Sequence, residues 1–140
     1  MLYASHRRRT LMRAMPFLMF QGQAEEAMRF YVSLFPDGAV ESLERYGASG
    51  PGAPGTLHQA RFTVAGQRVM CIDSPTPHGF GFTPSVSFFV DCDDEAQLAR
   101  LAQALAEQGA TLMPLDNYGF SRKFTWVQDR FGVSWQLNLP

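Results

Sequence analysis

Residues 15–35, MPFLMFQGQAEEAMRFYVSLF, change their hydrophobic period within a few positions, and this change predicts the fold. Residues 16–20 are a short apolar run bounded by proline and glycine, which is typical of a strand covered on both faces. From Ala24 onward the apolar residues are spaced three or four apart, as on one face of a helix. Residues 36–38, Pro-Asp-Gly, end that helix. The stretch therefore predicts a buried strand followed at once by an amphipathic helix.

The composition predicts that this unit belongs to one globular domain. The chain has 140 residues, of which 46% are hydrophobic, and this is enough for one substantial core. The net charge of −1 gives no overall field to attract nucleic acid or an acidic membrane, so we expect neither partner. Cys71 and Cys92 have no disulfide or zinc spacing, and no apolar run approaches roughly 20 residues. A reducing cytoplasm is the expected compartment.

The first fourteen residues, MLYASHRRRTLMRA, are basic and have no hydrophobic period. They lack the apolar stretch and the cleavage site of a secretory signal. An RNA-binding arm at residues 6–9 is one interpretation, but four basic residues without interleaved aromatics favour a disordered tail. Translation that begins at Met15 is a further alternative.

Residues 39–46 alternate in polarity and predict a polar edge strand. Residues 47–55, GASGPGAPG, follow, and Gly50, Gly52 and Gly55 formally match the G-x-G-x-x-G pattern. A dinucleotide-binding loop opens a helix, whereas here two prolines interrupt the loop and a strand-like segment follows. We therefore predict a flexible connection, with a lid over a pocket as one role for it, and no nucleotide site.

Two strands, residues 57–64 and 67–73, are predicted to form a hairpin around the Ala65-Gly66 turn. Strict alternation places His58 on the mainly apolar face of the first strand. A lone histidine there is more often a core residue with a satisfied hydrogen bond than a catalyst. The catalytic alternative makes His58 a general base that is oriented by Asp73 at the end of the neighbouring strand.

The opening pattern returns in the second half of the chain. Residues 84–90 predict a second apolar strand that begins with proline, and Asp93 or Asp94 is expected to cap a helix over residues 95–108. Three more strands are predicted, at residues 110–115, 123–128 and 133–139.

The chain is thus predicted to be an α+β domain, residues 15–140, made of two β-α-β-β-β modules. The first module comprises residues 15–82 and the second module residues 83–140.

These paired modules resemble the vicinal oxygen chelate superfamily, which includes glyoxalase I, bleomycin-resistance proteins and extradiol dioxygenases. Several segments resemble its PhnB-like branch, whose members are often labelled 3-demethylubiquinone 3-methyltransferase-like. They are AEEA at 24–27, FY at 30–31, LF at 34–35, LHQA at 57–60, MCID at 70–73, WVQD at 126–129 and GVSWQL at 132–137. The resemblance covers residues 15–139. It implies that each module curls its sheet around a cavity, and that the protein pairs as a homodimer.

The resemblance also implies a divalent metal, held by His and Glu side chains from the first and last strands of each module. By position these sites fall near Phe17, Ser85, Met70 and Gln136. Phenylalanine cannot bind a metal, a methionine thioether suits soft copper, and serine or glutamine oxygens are weak neutral ligands. We therefore expect a metal-free cavity and no cofactor.

Alternation along the strands predicts the lining of this cavity. The predicted ligand-binding residues are Met70, Phe124, Trp126, Ser134, Gln136 and Asn138, with His58 nearby. Aromatic rings stack on planar molecules, and side-chain amides both donate and accept hydrogen bonds, although each aromatic taken alone is more often core packing.

Two functions follow from this lining. The first is a metal-free small-molecule-binding protein, by analogy with bleomycin-resistance proteins. The second is an enzyme on a small aromatic or quinone-like substrate, with His58 as general base. A methyltransferase would need a nucleotide-cofactor site, and the only Gly-rich segment lacks the required context.

Overall fold

The computed structural model describes residues 11–140. The basic segment at residues 6–9, and with it most of the predicted tail, lies outside the described residues. Residues 11–14 are exposed and belong to no helix or strand. Within the described part of the chain, no helix has both the length and the hydropathy needed to cross a membrane.

The chain folds as two modules with the same order of elements, as the sequence predicts. The first contains β1 (Phe17–Phe20), α1 (Ala24–Leu34), β2 (Ala39–Arg45), β3 (Leu57–Val64) and β4 (Gln67–Asp73). The second contains β5 (Ser87–Asp91), α2 (Glu95–Ala106), β6 (Ala110–Asp116), β7 (Lys123–Gln128) and β8 (Ser134–Leu139). The α+β class and the duplicated β-α-β-β-β order are confirmed.

Each module forms its own four-stranded mixed sheet, and the two sheets have corresponding strand orders. The orders are β1-β4-β3-β2 and β5-β8-β7-β6. The first and last strands of each module pair in parallel, and the remaining neighbours pair antiparallel. Strands β1 and β5 therefore lie at the sheet edges.

Two predicted boundaries were wrong by a few residues. Strand β5 begins at Ser87 rather than at residue 84, because residues 84 and 85 form a turn in which the Ser85 hydroxyl bonds that of Thr83. Helix α2 ends at Ala106 rather than at residue 108, because Gln108 has a φ of 59°, outside the helical region.

The two helices begin in different ways. Asp94 caps α2 locally, because its carboxylate accepts the Gln97 N–H at 2.8 Å. Helix α1 has no side-chain cap from Gln23, and the N–H of Ala24 donates instead to Asp73 on β4, at 2.9 Å. Strand β4 thus fixes the start of α1.

One hydrophobic core joins the two modules. Each helix packs on one face of its own sheet, which we call the helix face; the opposite face is the open face. Side chains of the two helix faces and both helices form a single buried cluster. The Tyr31 ring on α1 lies 5.2 Å from the Trp135 ring on β8, and the Tyr31 hydroxyl donates to Asp129 at 2.7 Å. The open faces consequently lie on the sides of the sheets away from this shared core.

Candidate functional site

His58 does not lie on the apolar face, contrary to the prediction. The pairing of β2 with β3 passes from Glu44 opposite Gln59 to Arg45 opposite Leu57, so His58 is the extra residue of a β-bulge. The bulge turns Leu57 into the core and leaves the His58 side chain 51% exposed. Its ring stacks on Tyr46, at 4.9 Å between centroids, and its Nδ1 lies 3.3 Å from Glu44.

Asp73 is buried and does not contact His58. Its carboxylate accepts the backbone N–H groups of Gly22 at 2.7 Å, Ala24 at 2.9 Å and Leu57 at 2.9 Å. These three hydrogen bonds connect β4 to the start of α1 and to β3, and both carboxylate oxygens accept at least one of them. The predicted base and its orienting acid are therefore not brought together, and the His58–Asp73 arrangement required for general-base catalysis is absent from the described residues.

The open face of the second sheet brings together most of the predicted ligand-binding residues. The register places Phe124 opposite Asn138, Trp126 opposite Gln136, and Ser134 at the start of the same face of β8. Met70 lies in the first sheet, paired with Phe17 and Arg61. Five of the six predicted residues thus share one face, and Met70 lies in the other sheet.

A continuous line of hydrogen bonds crosses this face from β7 to β5. The indole Nε1–H of Trp126 donates to the Ser134 hydroxyl at 2.7 Å, and that hydroxyl lies 2.6 Å from the hydroxyl of Ser87. The Gln136 side-chain amide donates to Ser87 at 3.2 Å. Ser134 is 1% exposed, whereas Ser87 is only partly buried. The polar groups are therefore mutually oriented, and Ser87 lies at the outer end of the line.

Asn138 and Phe124 belong to a second group further along the face. The Asn138 amide donates to Asp91 at 2.9 Å and accepts the Ser121 hydroxyl. The Phe124 ring packs edge-on against Phe120, with centroids 5.0 Å apart. Both polar atoms of the Asn138 amide have protein partners and Phe124 is buried, so their roles in the structure are internal.

A cleft of about 540 Å³ opens beside Ser87, and we call it the β5 cleft. Strand β5 is an edge strand, so side chains from both of its faces reach the cleft. Its apolar walls come from both modules, with Leu18 and Val64 from the first and Phe88 and Val90 from the second. The hydroxyls of Ser87 and Ser134 lie among these groups.

The expected apolar cavity around all six predicted residues is not found in residues 11–140. Only Ser134 among them lines the β5 cleft. The physical reason is that both helix faces share one core, so Met70 and the other five point outward from two different sheets. A cavity lined by all six would require these open faces to oppose one another.

The predicted ligand-binding residues do not include Ser87 and Phe89, both of which line the β5 cleft. The prediction placed the first-strand position near Ser85, which lies in the turn before β5 and does not line the cleft. Phe89 is paired with Gln136 and is 56% exposed. The alternation of Ser87 with Phe88 was present in the sequence, but only the register with β8 identifies Ser87 as the residue that Gln136 contacts.

The donor groups around Ser87 do not fit a divalent metal. They are two hydroxyls and an amide, all of which are neutral. In the first module, Met70 takes the position that corresponds to Gln136, and it offers only a thioether. Within the described residues, no three His, Cys, Asp or Glu side chains form a group able to hold a metal ion.

The Gly-rich segment leads from β2 into strand β3, as predicted, and not into a helix. It therefore lacks the helix N-terminus of a dinucleotide-binding loop.

The two cysteines and Ser74, which lies beside an imidazole, are not activated as nucleophiles. Burial, with a further contribution from Asp73, raises the pKa of the Cys71 thiol to about 12, and burial raises the pKa of Cys92 to about 11. Ser74 lies 2.8 Å from the imidazole of His78, but its hydroxyl donates its single hydrogen to the Thr76 carbonyl. The imidazole must then donate to Ser74, so it does not act as a base toward it.

The duplicated module, the parallel pairing of its first and last strands and the curled open sheets define a class of protein, the vicinal oxygen chelate superfamily. The chain belongs to the family whose model is described as 3-demethylubiquinone-9 3-methyltransferase, which matches residues 12–138. The PhnB-like resemblance is thereby confirmed.

Solved structures of similar proteins agree with this assignment. A PhnB protein from Bacillus cereus is 50% identical and has a TM-score of 0.89, with 92% of this chain and 100% of that chain covered. Protein PA1353 from Pseudomonas aeruginosa is 29% identical, with a TM-score of 0.80 and coverage of 91% and 97%. The fosfomycin resistance protein FosX from Listeria monocytogenes is 6% identical, with a TM-score of 0.60 and coverage of 92% and 93%, and shares the fold alone. No curated protein sequence matches the chain.

Proposed function

We propose that this chain binds a small, largely apolar molecule with a planar ring, and that the molecule lies in the β5 cleft without a metal. The observation that carries the proposal is the combination of apolar walls with the hydroxyls of Ser87 and Ser134. The volume of about 540 Å³ lies within the roughly 300–1,000 Å³ of small-molecule sites, which are mostly apolar with a few fixed polar groups.

Phe89 is the aromatic side chain best placed to contact such a ring. It lines the cleft, its ring lies 6.3 Å from that of Phe124, and more than half of its surface is exposed. An exposed ring that already packs against one aromatic neighbour can stack on a planar ligand with little further loss of side-chain conformational entropy. The neutral oxygens nearby favour hydrogen bonding over metal coordination.

A two-ring hydrocarbon, 2-isopropenylnaphthalene, tests this proposal in equilibrium dialysis against purified protein. We expect saturable binding, and we expect Phe89→Ala to weaken it roughly 10-fold or more because a buried ring contributes about 1.5–3 kcal/mol. Phe80→Ala is the matched control, since Phe80 is also exposed but lies outside the cleft.

His58→Gln should leave this affinity unchanged, since His58 is no part of the cleft lining. Absence of binding to the wild-type protein would refute the proposed function.

We also propose that the chain pairs as a homodimer that covers the open-face side chains outside the β5 cleft. Large apolar side chains there are exposed, including Phe17 at 52% and Phe120 at 61%, and contiguous exposed apolar surface is typical of an interaction site. Light scattering at micromolar concentration measures the mass directly. A monomeric mass would contradict the pairing and would leave the binding proposal standing.

A further inference from the structure

Two serine hydroxyls take part in the line of hydrogen bonds at the β5 cleft, and one of their two hydrogens has no acceptor within it. Trp126 donates to Ser134, and Gln136 donates to Ser87. The two hydroxyls bring two hydrogens, and the contact between them, at 2.6 Å, consumes one. Within residues 11–140 neither hydroxyl has another hydrogen-bond partner, so one hydrogen is left without a protein acceptor.

Burial decides which serine carries that hydrogen. Ser134 is 1% exposed, and a free O–H there would be a buried donor without an acceptor. Ser87 is partly exposed and lines the cleft, where an incoming group can reach it. The line is therefore directed outward, with Trp126 donating to Ser134, Ser134 donating to Ser87, and Ser87 presenting its O–H to the cleft.

The Gln136 amide reinforces this direction. It donates to the Ser87 oxygen, as does the Ser134 hydroxyl, so both lone pairs of Ser87 are occupied by protein donors. Ser87 is then left as a donor only. The two hydrogen bonds that the Ser87 oxygen accepts polarise the Ser87 O–H. The hydrogen bond that Ser87 donates to a ligand is therefore stronger.

We infer that the β5 cleft selects a planar apolar molecule that carries a hydrogen-bond acceptor, such as a ring-attached carbonyl, and that Ser87 is the residue which recognises it. This inference rests on the proposed function and adds the chemical class of the ligand. A ligand that offers only a donor at this point finds both lone pairs of Ser87 occupied. The selectivity comes from the orientation of one hydroxyl, since the surrounding walls of Leu18, Val64 and Phe88 are apolar.

The matched probes are 2-acetylnaphthalene and 2-isopropenylnaphthalene, which differ in having a carbonyl oxygen or a methylene group at the same position. We expect the wild-type protein to bind the ketone roughly 5- to 10-fold more tightly, as a net gain of one hydrogen bond gives. Ser87→Ala should remove this preference, so that the two probes bind with equal affinity, and an unfolding midpoint in urea near that of the wild type shows that the variant is folded.

Two further variants test the direction of the line. Ser85→Ala is the control, since Ser85 is exposed, lies outside the cleft and should keep the full preference. Gln136→Glu replaces the amide donor by a carboxylate that accepts the Ser87 hydrogen. The preference for the ketone should then fall although Ser87 is unchanged.

The possible outcomes separate the inference from the function on which it rests. Equal binding of both probes to the wild type would overturn the inference and leave aromatic binding established. Equal binding is the result expected when the Gln136 side-chain amide is rotated by 180°, because its oxygen then accepts the hydrogen bond from Ser87. A preference that survives Ser87→Ala would also overturn it. Binding of neither probe would defeat the proposed function, and the inference with it.

Discussion

Replacing Asp129 by asparagine tests the connection between the two modules. The buried carboxylate accepts four hydrogen bonds, from the backbone N–H groups of Phe131 and Val133 at 2.9 and 3.0 Å, from the Tyr31 hydroxyl at 2.7 Å and from the Trp135 indole at 2.9 Å. Tyr31 lies on α1 and is 98 residues away in sequence. The side chain thus joins the helix of the first module to the β7–β8 connection of the second.

The expected loss follows from counting donors. An asparagine oxygen can keep the two backbone bonds, and its amide N–H can donate to the Tyr31 oxygen once that hydroxyl turns. The Trp135 indole N–H then faces another donor and is left unpaired in the core, which costs about 1–3 kcal/mol. The three remaining bonds also lose their charge assistance. We expect Asp129→Asn to lower the free energy of unfolding by about 3 kcal/mol.

Urea denaturation followed by tryptophan fluorescence measures this change at fixed protein concentration. With a slope of about 2 kcal/mol per molar urea, a loss of about 3 kcal/mol lowers the midpoint by about 1.5 M. Tyr31→Phe should cost about 2 kcal/mol, and the double variant should be less destabilised than the sum because the two changes share one bond.

Glu107→Gln is the control, because Glu107 is exposed at the end of α2 and should shift stability by no more than about 0.5 kcal/mol. An Asp129→Asn variant within about 1 kcal/mol of the wild type, or strictly additive single changes, would show that Asp129 does not connect the two modules through Tyr31.

Two further predictions concern a close backbone contact at Gly109 and the two buried thiols. A methyl group on Gly109 would lie 2.1 Å from the Gln128 carbonyl oxygen, so Gly109→Ala should destabilise by about 1–3 kcal/mol, whereas Gly81→Ala, which meets nothing within 4 Å, should be nearly neutral in the same urea titration. Because burial raises the pKa values of Cys71 and Cys92, their stabilising contribution is complete below the unfolded thiol pKa, about 9, and is lost as the pH rises toward 12 and 11. Unfolding free energy should therefore fall by about 1 kcal/mol per cysteine between pH 9 and 10, with a shallower decline in Cys71→Ala, and an equal slope in that variant would contradict the assignment.

The fold was largely predictable because its signals are local. The change from a short apolar run to a helical period at residues 16–34 appears twice, and each repeat produces the expected strand and helix. The Ala65-Gly66 hairpin was also predictable from its turn residues, and both have the positive φ values, 48° and 80°, of a two-residue turn. The predicted start of β5 and end of α2 were wrong because a turn and a helix end, rather than periodicity, determine where these elements stop.

The site was less predictable because it depends on register and on distant partners. Alternation predicts the wrong face for His58 because it assumes that no residue is inserted, and the bulge opposite Glu44 breaks that assumption. The position of Asp73 at the end of its strand predicts an acid that orients His58, whereas in the structure its carboxylate accepts backbone N–H groups of α1 and β3. Neither fact is visible in the spacing of residues within one strand.

Three features can be predicted from residue types along the chain: the duplicated strand and helix pattern, a single core, and neutral groups at the positions where the superfamily resemblance implies a metal. Each of these follows from residue type and short-range period. Two features depend on the three-dimensional fold: Ser87, rather than Ser85, contacts Gln136 and Ser134, and Met70 lies apart from them in the other sheet. The reason is that strand register and the packing of two sheets on a shared core are set by contacts about fifty residues apart, which no local pattern encodes.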